Sequence, residues 1–164
     1  MKSSSLMIIF LSVLFSSCLN LNTDEYTVQD EQADIKKHID YLHSKGNNVD
    51  TTALGVYYVI REAGTGPLPA AGDTISVKYV GYLMNGNVFS TSFYISSDSS
   101  WTYVYKVEEL LDAWDEVTGL MNKGCKMEFI IPSTLAYGAT GNGNVPPNSS
   151  LIFVTRMADI KKKK

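Results

Sequence analysis

Side chains able to do covalent or metal chemistry are scarce in this chain. It has two histidines, His38 and His43, and two cysteines, Cys18 and Cys125. Both histidines precede the main run of apolar segments, which leaves a histidine triad or a zinc site almost no material. Cys125 opens the alternating stretch CKMEFII with no histidine near it in sequence, so it reads as a strand residue and not as a catalytic thiol. What the sequence concentrates instead is rings and hydroxyls around one unusual loop, LAYGATGNGNVPPNSSLIF, residues 135–153. Gly138, Gly141 and Gly143 permit tight turns there, and Pro146 and Pro147 stiffen the return. Tyr137 opens the flexible part and Phe153 follows it. A tyrosine at the head of a glycine-rich loop is poorly placed for burial, which makes its hydroxyl a candidate for binding a ligand.

The elements that must hold this loop are legible around it. Hydrophobic residues make up 45% of the 164, charged residues 19%, and ten tyrosines and six phenylalanines supply bulky material for a core. A formal net charge of −3 gives no general basic footprint, so nucleic acid is set aside as a partner. GVYYVI and TISVKYV are rich in β-branched and aromatic residues, and in the second Ile75, Val77 and Tyr79 share one face. LMNGNVF sets Asn85 and Gly86 between apolar runs, a hairpin signal. With CKMEFII and LIFVTRM the count reaches about five strands. One helix is expected over VEELLDAWDEVTGLMNKG, where Leu110, Trp114, Val117 and Met121 follow the helical period; on this pattern alone Trp114 reads as core. The fold class is therefore α+β, an antiparallel sheet of about five strands with one short amphipathic helix on one face.

Ahead of this domain, expected over residues 51–164 with a lysine tail, the chain changes character. MKSSSLMIIFLSVLFSSC has one basic residue, Lys2, then an apolar run from Leu6 to Phe15 that is too short to span a bilayer, then small residues. It reads as an export signal over residues 1–17. Ser16, Ser17 and Cys18 resemble the end of a bacterial lipoprotein signal, with Cys18 as the lipidated residue, although Phe15 stands where leucine is commonest. An ordinary secretory signal with an incidental cysteine would equally export the chain. Residues 18–50 form a polar tether with one short helix, in which Ile35, Ile39 and Leu42 fall at i, i+4 and i+7 and Gly46 supplies the stop. That apolar stripe could pack on the domain, on a second copy, or loosely as part of a spacer. The final four lysines read as a solvated tail.

The order of these elements closely resembles one family over essentially all of residues 55–160. A glycine-rich turn, VKYVGYL, an Asn-Gly hairpin ending in Phe, a helix carrying Trp, then IP, AYGATG, PPN and LIF is the pattern of the FKBP family of peptidyl-prolyl cis-trans isomerases. The resemblance implies a twisted antiparallel sheet wrapped around one helix, no cofactor and no metal. It implies that Trp114 is the floor for a proline ring, that Tyr79, Phe89, Trp101 and Phe153 are aromatic walls, and that Tyr137 hydrogen-bonds a substrate carbonyl. Leu110 and Leu111 match the family's apolar pair, whose second backbone amide donates to ligands, and Val145 matches the apolar residue that closes one side. The partners implied are proline-containing peptides or unfolded exported proteins, and macrolide-type inhibitors. With a lipid on Cys18 as membrane anchor, the place implied is the bacterial cell envelope, on the periplasmic or outer-membrane side.

The chain departs from the family pattern at a telling place. Ser90 follows Phe89 where an acid is usual, and STSFYISSDSS lacks the arginine that normally partners that acid. The stretch from Phe89 to Trp101 is about two residues longer than usual, and Asn144 stands where an apolar residue is common. Three readings follow: an active isomerase assisting the folding of exported proteins, a non-catalytic peptide-binding or chaperone module on the same scaffold, or an accessory subunit that assembles through the helix before the domain.

Overall fold

The computed structural model describes residues 26–95 and 97–164. The export signal and Cys18 lie outside the described residues. Helix α1 (Val28–Ser44) is followed by β1 (Asp50–Thr51), β2 (Tyr57–Glu62), β3 (Thr74–Leu83), β4 (Val88–Thr91), β5 (Trp101–Val104), α2 (Asp112–Thr118), β6 (Lys126–Ile131), a single 3-10 turn (Ser133–Leu135) and β7 (Leu151–Lys161). The strands form one sheet, antiparallel throughout, in the order β1-β2-β6-β7-β3-β4, with β5 beside β3 as well. The fold class is α+β, as expected, with seven strands where about five were legible. The two that were missed are the shortest kind, a two-residue edge and the four residues WTYV.

Strand β3 organises the sheet. One edge pairs along its whole length with β7; the other is shared, Thr74–Val77 pairing with β5 and Val80–Tyr82 with β4. The period-two pattern read from the sequence holds: Ile75 and Val77 are fully buried on the inner face, as are Met127, Phe129 and Ile131 of β6. The inner face carries α2, whose Ala113, Trp114 and Val117 join these residues in one core. This helix is shorter than its periodicity suggests. Expected over residues 107–124, it occupies only Asp112–Thr118. Glu108 accepts a bond from the Val104 N–H at 2.9 Å, closing a turn, and Leu111 is extended at φ −64°, ψ 129°. Leu110 and Leu111 thus enter from an extended segment, and Met121 is buried from the turn after the helix. The stripe Leu110, Trp114, Val117, Met121 is real as a set facing the core, with Leu110 only half-buried, but it is assembled from three local conformations.

The outer face carries α1, so both faces of the sheet are covered. Thr27 and Asp30 form a capping box at its start: the Thr27 hydroxyl accepts from the Asp30 N–H and the Asp30 carboxylate from the Thr27 N–H. Ile35, 2% exposed, packs with Ile130 and Ile152 of the sheet, flanked by Ile39, Tyr57, Tyr82 and Met84. Burying a side chain of that size contributes about 1.5–3 kcal/mol. His38 of α1 also meets Glu128 of β6 at 3.0 Å, and Arg61 of β2 meets the same carboxylate at 2.6 Å. His38 foremost, and then Arg61, hold the Glu128 carboxyl below its usual range. Among the alternatives open for the stripe of α1, the structure has it packed on the domain.

Candidate active site

Ten residues line a cavity of about 410 Å³ between the inner face of the sheet, the start of α2 and the loop after β6: Tyr79, Phe89, Ser90, Trp101, Glu109, Leu110, Leu111, Trp114, Tyr137 and Phe153. Each arrives for a local reason. Tyr79 and Phe153 are inward positions of the neighbouring strands β3 and β7. Phe89 and Ser90 are consecutive in β4 and would ordinarily face opposite sides. The register steps from Gly81↔Ser90 to Tyr82↔Val88, one residue on β3 against two on β4, so Phe89 is the extra residue of a bulge and joins Ser90 on the pocket side. Gly81 makes room for it: a Cβ there would meet the rings of Phe89 and Phe153 at 2.8 and 2.9 Å. Trp101 enters from β5, opposite the inward-facing Val77.

The rings meet edge to face. Tyr79 lies 5.3 Å from Trp114, 5.8 Å from Phe153 and 5.9 Å from Trp101 between ring centres, and Trp114 lies 4.9 Å from Phe153. These separations and tilts are those that aromatic quadrupoles favour. The floor is tied down from beneath. The Trp114 indole N–H donates to the Tyr103 hydroxyl at 2.7 Å, that hydroxyl donates to Thr118 Oγ1 at 3.3 Å, and the Thr118 hydroxyl returns to the Trp114 carbonyl at 2.9 Å. Tyr103 is 2% exposed, and burial pushes its phenol well up from the usual value. It also stacks on Trp101, with ring centres 4.5 Å apart. Sequence reasoning passed over Tyr103, although its place two residues after Trp101 in a strand puts both rings on one face.

The polar groups of the pocket are few. The Tyr79 hydroxyl and Ser90 Oγ are 3.0 Å apart, so the serine keeps a bond to the wall tyrosine without a charge. The Tyr137 hydroxyl and the Leu111 backbone N–H have no hydrogen-bond partner among the described residues. Glu109, exposed at the rim, is the one carboxylate in the lining, and it was not anticipated. The structure brings together eight of the nine residues that match the family pattern for substrate, and Ser90 with them. Val145 is not among the lining residues: it is 4% exposed, in the core cluster that also holds Trp114 and Phe153, with its N–H and C=O exchanged with those of Asn142. The loop folds tightly there, and Gly141, at φ +69°, passes so close that a Cβ would sit 2.4 Å from the Val145 carbonyl oxygen. No group of three or more His, Cys, Asp or Glu side chains poised to hold a metal ion occurs among the described residues.

Residues 66–158 match the family model of the FKBP-type peptidyl-prolyl cis-trans isomerases. The chain belongs to that family. A probable FKBP-type peptidyl-prolyl cis-trans isomerase of Haemophilus influenzae is 36% identical over 121 residues, covering 73% of this chain and 48% of the relative. FkpA of Escherichia coli, also named an FKBP-type isomerase, is 34% identical over 118 residues, covering 72% and 42% respectively. The outer membrane protein MIP of Legionella longbeachae is 34% identical over 109 residues, covering 66% and 45%. The chain therefore spans under half the length of each of these relatives. The crystal structure of Escherichia coli FkpA is similar to this FKBP fold with a TM-score of 0.65 and 30% identity, over 81% of this chain and 62% of that one.

Proposed function

We propose that this chain is a peptidyl-prolyl cis-trans isomerase acting on X-Pro bonds of unfolded exported proteins. The observation that carries the reading is a cavity walled by six aromatic side chains and two leucines in which the polar side-chain groups are neutral hydroxyls, with one carboxylate confined to the rim. An X-Pro bond has a barrier of about 18–20 kcal/mol because rotation breaks amide resonance, while its two isomers differ by only about 0.5–1 kcal/mol. Catalysis therefore needs no nucleophile, proton donor or metal. It needs a site that suits the twisted amide better than the planar one.

The pocket supplies this as follows. The proline ring lies on Trp114 between Tyr79, Phe89, Trp101 and Phe153, which exclude water from the amide. Resonance separates charge in the planar amide, and a dry apolar surround disfavours that form relative to the twisted one. The Tyr137 hydroxyl donates to a substrate carbonyl and the Leu111 N–H to the next, fixing the peptide on either side of the bond that turns. Ser90 leaves the wall behind Tyr79 uncharged, and the missing arginine means that no buried charge is left without its partner. The export signal, lipid attachment at Cys18 and a place in the cell envelope belong to the same reading; they are supported by the N-terminal sequence and by a relative named an outer membrane protein. Macrolide-type inhibitors of the family would compete for the same floor.

The test is cis-to-trans isomerisation of a short X-Pro peptide. The parent accelerates it; Trp114→Ala abolishes the effect while the protein stays folded; Tyr137→Phe, which removes one neutral hydrogen bond, lowers kcat/KM about 2- to 10-fold. Ser90 favours a second reading, a peptide-binding module that has lost turnover. Peptide binding by the parent without acceleration would establish that reading in place of the first.

A further inference from the structure

Helix α1 lies outside the residues that match the family model, yet one buried acid on it reaches the loop that carries Tyr137. Glu31 is 0% exposed. Its Oε1 accepts from the Ser133 N–H at 2.6 Å and from the Ser150 hydroxyl, and its Oε2 accepts from the Ser133 hydroxyl at 2.7 Å. Among the described residues no cation pairs with it. A carboxylate taken out of water at such a place is costly unless every lone pair is engaged, and charge-assisted bonds from three neutral donors are what offset the loss.

The two serines are the feet of the 132–150 loop. Ser133 opens the 3-10 turn, and its carbonyl accepts from Ala136 N–H at 2.9 Å and Gly138 N–H at 2.8 Å, the residues on either side of Tyr137. Ser150 immediately precedes β7, the strand that carries Phe153. The Asn148 N–H donates to the Gly138 carbonyl at 2.9 Å, and its side-chain amide donates to the Tyr26 carbonyl just ahead of α1 at 3.0 Å. The N-terminal segment thus grips both legs of the loop, and a chain of two bonds runs from Glu31 through Ser133 to the backbone that presents Tyr137.

We propose that Glu31 is a positioning residue for the isomerase site: its carboxylate fixes both feet of the loop and so the place of Tyr137, which makes α1 a working part of the catalytic unit. The proposal rests on the isomerase reading, and its test separates the two. In the full chain, Glu31→Ala lowers kcat/KM for an X-Pro peptide about tenfold, the order of effect that loss of alignment without loss of a reacting group produces. In the Tyr137→Phe background the same change adds little, because both alterations act through one group. Glu31→Gln restores most of the activity, since its amide keeps an acceptor for the Ser133 N–H and offers a donor to the hydroxyls. Amide exchange of Gly138, Gly141 and Asn148 rises in Glu31→Ala while the β3 and β7 ladder stays protected. Ser150→Ala moves the same quantities by less, and stands in if Glu31→Ala does not fold. Multiplicative losses in the double variant, or loop amides that exchange as in the parent, overturn the proposal. If the parent shows no isomerase activity, it is the functional reading that fails, and the exchange measurement alone then decides the role of Glu31.

Discussion

Replacing Tyr103 by phenylalanine removes one oxygen from beneath the pocket and leaves its shape intact. In the parent that oxygen receives the Trp114 indole N–H at 2.7 Å and donates to Thr118 at 3.3 Å. Thr118 keeps its own bond to the Trp114 carbonyl, so the group that suffers is the indole N–H, which is 4% exposed with its side chain and has nowhere else to donate. A buried donor left unpaired costs about 1–3 kcal/mol. For a chain of this size each kcal/mol shifts Tm by about 2–4 °C, so a loss of about 2 kcal/mol lowers Tm by roughly 4–8 °C. Because Tyr79, Phe129 and Phe153 still clamp the ring, the loss in kcat/KM stays under about tenfold. The pH dependence is signed. Burial raises the folded-state phenol pKa above its unfolded value, so its contribution is complete below about pH 10 and is lost only as pH climbs past that point. Thermal unfolding of parent and Tyr103→Phe from pH 6 to 11 should give a constant difference that narrows at the alkaline end. A Tm within a degree of the parent at pH 7, or an undiminished loss in a Trp114→Phe background where no indole N–H is present, would refute the reasoning.

Ile35→Ala, on the outer-face helix, should cost about 2–4 kcal/mol in equilibrium unfolding, as for a core deletion; a change under about 0.5 kcal/mol would mean that α1 is only a spacer. Asp73 receives Lys162 Nζ at 2.8 Å, the Ala70 N–H at 2.7 Å and the Lys163 N–H at 2.9 Å, and these bonds, Lys162 foremost, depress its carboxyl to about 2. Its contribution is full above the ordinary carboxyl pKa and disappears as pH falls toward 2, so the stability gap between parent and Asp73→Asn should be flat near neutrality and close in acid. Ser90→Asp sets a carboxylate beside Tyr79 with no Arg or Lys in the pocket lining; unfolding should show a loss of about 1–3 kcal/mol, and a stabilised variant would show that a cation reaches the site.

How much of this could be read from the sequence depended on the range of the forces involved. Strands β2, β3, β6 and β7 were legible because alternation is a local property, and the hairpin was legible because Gly86 takes the one positive φ that the turn requires, at +86°. The pocket residues were legible only through the order of motifs, since nothing local in VFS says that a bulge will turn Phe89 and Ser90 to one side. The helix at Trp114 was drawn too long because burial from turns and from helix can share a period. Glu31 was invisible: on a polar segment a glutamate reads as solvated, and its burial is decided by two serines more than a hundred residues away. Val145, matched to the pocket by the family pattern, lies in the buried cluster that holds Trp114 and Phe153 but not in the cavity lining.

The handover of one β3 edge from β4 to β5 leaves a neck. Ser92, 2% exposed, receives the Tyr79 N–H at 2.9 Å and donates to the Ser99 carbonyl at 2.7 Å, so the two strands are pinned where they part. Just past that neck the side chains of Phe93, Tyr94 and Ile95 are mostly in solvent. Lengthening a loop costs only about 0.6 kcal/mol per doubling when its ends are already held. The exposed run Phe93–Ile95 is therefore a port for grafting: a recognition peptide spliced beside Tyr94 would add length while the bonds of Ser92 hold the sheet pairings in place.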